Sequence, residues 1–221
     1  LYAQDLQDPE KSALYFRNLI EVRRAALASD LPWWQVVCSN QIRPHTVVPT
    51  AANLALQAYT TLAAGGTGVG WFTYYGLAYG HAPIDGATGR KTPAWYALRA
   101  VNEQVRTIGA IVARLRSTGV FVAAPDAEPW RAAEIDPLPG RVIEAIDAPD
   151  AVMAGEFSDS DGGDYALLVN LSLERSQKVV PHLAGGRQAT AASPDDGAFR
   201  PLDATKGIWL PPGQGILLRL E

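Results

Sequence analysis

The run Gln35-Val36-Val37-Cys38-Ser39-Asn40 puts neutral hydrogen-bonding side chains at the end of a short apolar stretch, and Tyr74-Tyr75 closes a second one. Amides and hydroxyls beside aromatic rings suit a polyhydroxylated ligand, because the ring supplies an apolar platform while the polar groups fix orientation. Tyr75 is the leading contact on this reading and Tyr74 its neighbour. The competing reading of either is a core aromatic whose hydroxyl has found a backbone partner. Gln35, Ser39 and Asn40 read equally well as sugar-binding groups and as a polar strand cap solvated in its loop. His81 and Asp85 stand four residues apart in a Pro-containing loop, where they would pair with each other or meet a ligand. Asp85 precedes Gly86, the pattern of a turn former. His45 stands alone in the loop after the first run and reads more simply as a solvated residue than as a base.

Other chemistry is poorly supplied. Cys38 would be a nucleophile only with a histidine beside it, and a lone cysteine is more simply a core residue. Asp159-x-Asp161-Gly162-x-Asp164 has oxygen ligands spaced as in a calcium loop, but the twelfth position is Asn170 where a Glu is needed, so a tight hairpin turn is the better reading. Trp130 and Trp209 would mark a carbohydrate-binding face if exposed, although single tryptophans usually fill a core. A single Cys excludes an internal disulfide and any zinc site built on several thiolates. No metal site and no cofactor are expected.

The composition narrows the partners. Nineteen basic and 23 acidic residues give a net charge of −4 with no basic run, which argues against general nucleic-acid binding. No apolar run approaches the roughly 18–20 residues that cross a bilayer as a helix. A hydrophobic content of 48% with 19% charged residues is that of a folded chain.

The elements that must hold these residues change character near residue 125. Residues 1–124 alternate helix and strand. Pro9–Ser29 carries Leu14, Leu19, Val22, Ala26 and Leu27 near helical spacing, and Trp33–Cys38 has strand length and composition. Thr50 is placed to cap a helix over Ala51–Ala64, which Gly65-Gly66 stops. Gly68–Tyr75 reads as a second buried strand, Gly76–Thr92 as a loop, and Pro93 to about Leu115 as a third helix. Strand alternation turns either Trp34, Val36 and Cys38, or Trp33, Gln35 and Val37, into the barrel that such units would build. Residues 125–221 differ. Short β-rich runs at Arg141–Ile146, Val152–Phe157, Tyr165–Leu171, Gln177–His182, Gly207–Leu210 and Gly215–Leu220 alternate with turn clusters, which predicts an antiparallel β-sandwich.

Two β/α units do not make a fold, since a two-stranded parallel sheet keeps open edges and one uncovered face. A Rossmann-like sheet would need a Gly-x-Gly-x-x-Gly turn after a strand, and Gly65-Gly66-Thr67-Gly68 precedes one. The expected class is α/β plus all-β: the C-terminal part of a TIM barrel, strands seven and eight with flanking helices, over 1–124, then a β-sandwich over 125–221. Upstream sequence or another polypeptide is expected to supply the remaining strands.

Particular segments carry a resemblance: Tyr15-Phe16-Arg17-Asn18-Leu19, Leu31-Pro32-Trp33-Trp34, the block from Pro49 to Tyr59, Leu62 to Tyr75, His81-Ala82-Pro83-Ile84-Asp85, Gly89-Arg90-Lys91-Thr92 and Val101-Asn102-Glu103. With the ending Gly155-Glu156-Phe157, Tyr165–Asn170 and Pro212-Gly213-Gln214-Gly215, their order resembles the C-terminal third of clan-A glycoside hydrolases, close to the family-42 β-galactosidase group and its bacterial relatives. The resemblance implies a glycosidase of carbohydrate metabolism. It implies a carbohydrate substrate, the N-terminal barrel portion as partner, and an aromatic subsite floor at the end of strand eight, where Tyr75 stands; assembly into a homo-oligomer stays open. Such enzymes carry a nucleophilic Glu at the end of strand seven, and Cys38-Ser39-Asn40 departs from that pattern. No catalytic carboxylate is therefore assigned in this chain. A non-catalytic sugar-binding barrel and a structural module are the alternatives.

Overall fold

The computed structural model describes residues 9–44, 46–124 and 133–221. Helix α1 (Pro9–Ala28) leads into strand β1 (Trp34–Cys38), helix α2 (Ala51–Ala63) and strand β2 (Gly68–Phe72). Two short strands, β3 (Tyr75–Gly76) and β4 (Ile84–Asp85), follow in the loop before helix α3 (Pro93–Val112). The rest is sheet: β5 (Arg116–Ala123), β6 (Asp136–Pro137), β7 (Ile143–Asp147), β8 (Val152–Ser158), β9 (Asp164–Asn170), β10 (Gln177–Leu183), β11 (Ala189–Ala192), β12 (Phe199–Leu202), β13 (Ile208–Leu210) and β14 (Gly215–Leu220). The chain is thus mixed α/β followed by β-structure.

β1 and β2 pair in parallel, Trp34 opposite Gly68 through Cys38 opposite Phe72. The helix between them begins where the sequence says it should. Thr50 takes extended backbone angles, its hydroxyl accepts from the Asn53 amide, and the Asn53 side chain accepts from the Thr50 amide, so two otherwise orphaned donors are satisfied. Every residue of α2 from Asn53 to Ala63 is buried. One side faces β1 and β2. Another lies on the large sheet, and α3 packs alongside. A helix hidden on all sides must satisfy its polar side chains internally. Accordingly Thr60 and Thr61 return their hydroxyls to the carbonyls of Leu56 and Gln57, and the Tyr15 hydroxyl meets Thr60.

The large sheet has seven strands in the order β12-β11-β14-β9-β8-β5-β6, antiparallel except for the β5–β6 pair. Strand alternation divides its residues between two cores. Met153, Phe157, Leu167, Val169 and Leu217 face the helices, with Tyr15, Leu19, Leu54, Leu62, Leu98 and Ile108. Val152, Ala154, Ala166, Leu168, Leu218 and Leu220 face a three-stranded sheet, order β13-β10-β7, across a core completed by Val142, Val179, Leu183 and Leu210. The approach of α2 is close enough that a Cβ on Gly155 would stand 2.0 Å from the Ala63 carbonyl oxygen, so that position of β8 takes no side chain.

Besides the two-residue strands, three escape the sequence pattern. β5 lies N-terminal to residue 124 and yet pairs with β8 inside the large sheet, carrying that sheet across the expected boundary. β11 (Ala-Thr-Ala-Ala) has almost no β-branched residues, and β12 contains Pro201, which its edge position tolerates.

Candidate functional site

β1 is buried on one face and open on the other. Gln35 and Val37 turn towards the helices, whereas Trp34 and Val36 are 73% and 59% exposed. The register puts Gly68 and Gly70 beside them, so on that face the sheet offers Trp34 and Val36 over two residues without side chains. Of the two alternations the sequence allows, this is the one with Trp34 and Val36 on the open side. Cys38 stands at the end of that row but is covered, and its thiol donates to the Asn40 carbonyl at 3.1 Å. Gln57 of α2 clamps its backbone, accepting from the Cys38 amide and donating to the Cys38 carbonyl. The thiol is a packed core group here.

The carboxyl ends of β1 and β2 are knitted together by the residues that the sequence singles out. The Ser39 amide donates to the Phe72 carbonyl at 2.9 Å and its hydroxyl donates to the Thr73 carbonyl at 3.1 Å. Asn40 is buried beside it. Gln41 continues the link, its amide donating to the Gly80 carbonyl. The chain leaves β2 through a cis Phe72–Thr73 peptide, after which Tyr74 and Tyr75 are both exposed. The Tyr75 hydroxyl donates to the Gly86 carbonyl at 3.1 Å, which props the ring, 45% exposed, over the loop. Tyr74 turns the other way, towards α3, and its hydroxyl accepts from the Trp95 indole at 2.9 Å.

Ser39, Asn40, Tyr74 and Tyr75 therefore gather at one rim. Gln35 does not: it sits near the start of β1, opposite Val69, on the packed face, and so leaves the strand-end group in which the sequence places it. Asp85 is a turn former. Its carboxylate accepts from the Thr88 amide and hydroxyl at 2.8 and 2.6 Å, bonds that hold its pKa below the ordinary value. His81 is exposed in the same loop in a left-handed conformation (φ 52°) and points to no pairing with Asp85. His45 and Trp130 lie outside the described residues.

Sequence reasoning missed a groove of about 300 Å³ beside Tyr74, lined by Trp95, Leu98, Arg99, Asn102, Glu103 and Arg106. Lys91 stands 3.5 Å from the centre of the Trp95 ring, and the Trp71 indole donates to Asn102 at 2.8 Å. Helical spacing of the polar residues at 99, 102, 103 and 106 was the available signal, but a solvated helix face has the same spacing. The groove's one carboxylate, Glu103, is engaged with Arg99 at 2.8 Å.

Elsewhere the Asp159 motif forms the β8–β9 hairpin turn. One carboxylate oxygen accepts from the amides of Asp161 and Gly163 and the other from the Tyr165 hydroxyl. Trp209, in contrast, is 68% exposed on β13 and fills no core, because its strand turns Ile208 and Leu210 inward on either side of it. Glu156, to which sequence reasoning assigns no role, is a buried carboxylate that accepts from the amides of Arg141, Val142 and Ile143 at 2.8–2.9 Å and so fixes the entry to β7.

No protein-family model matches the chain, and comparison with curated proteins gives no match either.

Proposed function

We propose that this chain is the C-terminal part of a (β/α)8-barrel glycoside hydrolase, of the clan-A type that its sequence resembles, acting on a glycoside or oligosaccharide. One observation carries the reading. A parallel β1–β2 pair is covered by α2 on one face and leaves Trp34 and Val36 bare on the other, above Gly68 and Gly70. In a closed barrel the helix-facing side of each strand packs outward and the opposite side fills the interior with layers of side chains. Trp34 and Val36 are then part of such a layer, and the free edges of β1 and β2 are the seams that the remaining strands close.

On this reading the rim formed by Ser39, Asn40, Tyr74 and Tyr75 lies on the face where barrel enzymes bind substrate, the carboxyl ends of the strands. Tyr75 is the aromatic floor for a sugar ring. Ser39 and Asn40 brace the strand ends that present it. Glycoside hydrolysis calls for two carboxyls flanking the scissile bond. β1 ends in Cys38-Ser39-Asn40, and the nearby Asp85 is spent on its turn. The catalytic pair accordingly comes from the other six strands.

A second reading is favoured by the same strand end. With no carboxylate where strand seven of such enzymes carries its nucleophile, the barrel would hold a sugar without cutting it. The two part on one experiment. The chain joined to its upstream polypeptide is assayed on chromogenic glycosides, with and without Tyr75→Ala. Hydrolysis that needs the upstream part, with KM raised by Y75A, supports the enzyme. Saturable sugar binding without turnover supports the second reading, and neither activity rejects both.

A further inference from the structure

The outer face of the three-stranded sheet carries a second set of groups, well removed from the strand-end rim. Residues 207 and 209 of the β13 segment, 178, 180 and 182 of β10, and 145 and 147 of β7 share that face by register: Trp209 opposite Lys178, Val180 opposite Asp147, His182 opposite Ala145. Trp209 stands at one end, 68% exposed. At the other, His182 Nε2 and Asp147 Oδ2 are 2.8 Å apart. Between them Gly207, with φ 71°, contributes no side chain, and the Lys178 stem and Val180 lie over it: a Cβ there would stand 2.8 Å from both Lys178 Cε and Val180 Cγ2. An aromatic ring, an aliphatic middle and a polar end make a flat strip. At ordinary strand spacing and rise, Trp209 and Asp147 are about 12 Å apart along it.

We propose that this strip binds a neutral saccharide, one ring stacked on Trp209 and the next hydroxyls reaching Asp147 and His182. The charge balance decides the ligand class. Lys178 and Lys206 are matched by Asp147 and by Asp203, which is paired with Lys206 at 3.0 Å, so the face has no net attraction for a phosphate or a nucleic acid. An apolar protein partner would want further large apolar side chains around the tryptophan. The groups that share this face with Trp209 are instead Lys178, Val180, His182, Asp147, Ala145 and Gly207. Indole stacking on the C–H face of a sugar, flanked by an acceptor and a donor, is what Trp209 with Asp147 and His182 supplies. The site does not depend on a catalytic barrel, since β7, β10 and β13 belong to the sandwich.

Native gels cast with a panel of soluble neutral polysaccharides (a mixed-linkage β-glucan, xylan, galactomannan, arabinogalactan and starch) provide the test, run on the protein in the assembly it forms when purified. At least one polysaccharide is expected to retard the wild type. Trp209→Ala should bind it roughly tenfold more weakly, the scale of one lost aromatic contact. Trp209→Tyr should keep part of the retardation, and Asp147→Ala should weaken it less than W209A does. Unchanged far-UV circular dichroism of these surface variants separates lost binding from lost fold. Equal retardation of wild type and W209A, or no retardation by any member of the panel, overturns the proposal. So does a W209A variant whose only change is loss of self-association, which would make Trp209 a protein contact. The rate of glycoside hydrolysis is a separate readout, so inactivity would reject the proposed enzyme and leave this site standing.

Discussion

At the residue scale, the best-defined polar site in the chain is structural. Glu156 accepts three backbone amides at the start of the three-stranded sheet while itself buried. Glu156→Ala leaves those donors without a partner, and each buried orphan costs roughly 1–3 kcal/mol, so a loss of about 3 kcal/mol or more is expected in denaturant titration. Glu156→Gln keeps an acceptor and should lose clearly less. Asp164 gives a pH signature. Hydrogen bonds from Arg141 first and then Arg187 hold its pKa below the ordinary 3.8. A carboxylate depressed in the folded state stabilises fully above its unfolded value, and the contribution drains away as pH falls through the lower folded value. The unfolding midpoint should therefore decline below about pH 4, and Asp164→Asn should flatten that decline; an unchanged acid limb would remove Asp164 from the account. The sequence offers Asp164 only as part of a calcium-like spacing and Glu156 only within Gly155-Glu156-Phe157, and neither role could be read there. A glutamate in a strand and an aspartate after Gly-Gly look like ordinary surface positions, and only the fold brings Arg141 and Arg187 to the same carboxylate.

At the scale of elements, the local signals were strong where chemistry and geometry agree. Thr50 announces the start of α2 and Gly65-Gly66 its end, and the apolar runs Trp33–Cys38 and Gly68–Tyr75 announce the strands, the second of which stops earlier, at Phe72. The phase of β1 was not legible, because Gln35 among apolar residues fits either face until α2 is placed. β5 was hidden for a related reason: Arg116-Ser-Thr-Gly begins it with residues of loop character, and its pairing partner lies about thirty to forty residues downstream. The open face of β1–β2 yields a prediction with opposite signs in two settings. Trp34→Gln with Val36→Thr removes exposed apolar surface, so the isolated 221-residue chain should self-associate less by light scattering. The same pair should weaken assembly with the polypeptide that the proposed barrel calls for, because in a closed barrel the face would be interior. Variants that leave both properties unchanged would mean that the face is ordinary surface.

At the scale of the whole molecule, the second half is well provided for. Its large sheet is buried on both faces, by helices on one and by the three-stranded sheet on the other. The first half is different. Helix α2 is enclosed completely, yet the two strands it covers leave Trp34 and Val36 bare on their far side. The class of fold could be read from the order of helices and strands. The rest of the candidate site could not, since a pocket at the ends of two strands is, on the proposed reading, completed by groups from other strands. The central claim is therefore one of assembly, and the direct measurement is intact and native mass spectrometry of the protein isolated from its natural source. The account predicts that these 221 residues occur joined to, or in stoichiometric complex with, polypeptide supplying six further β/α units and a pair of carboxylates. A free 221-residue species that melts in one sharp cooperative transition would contradict it.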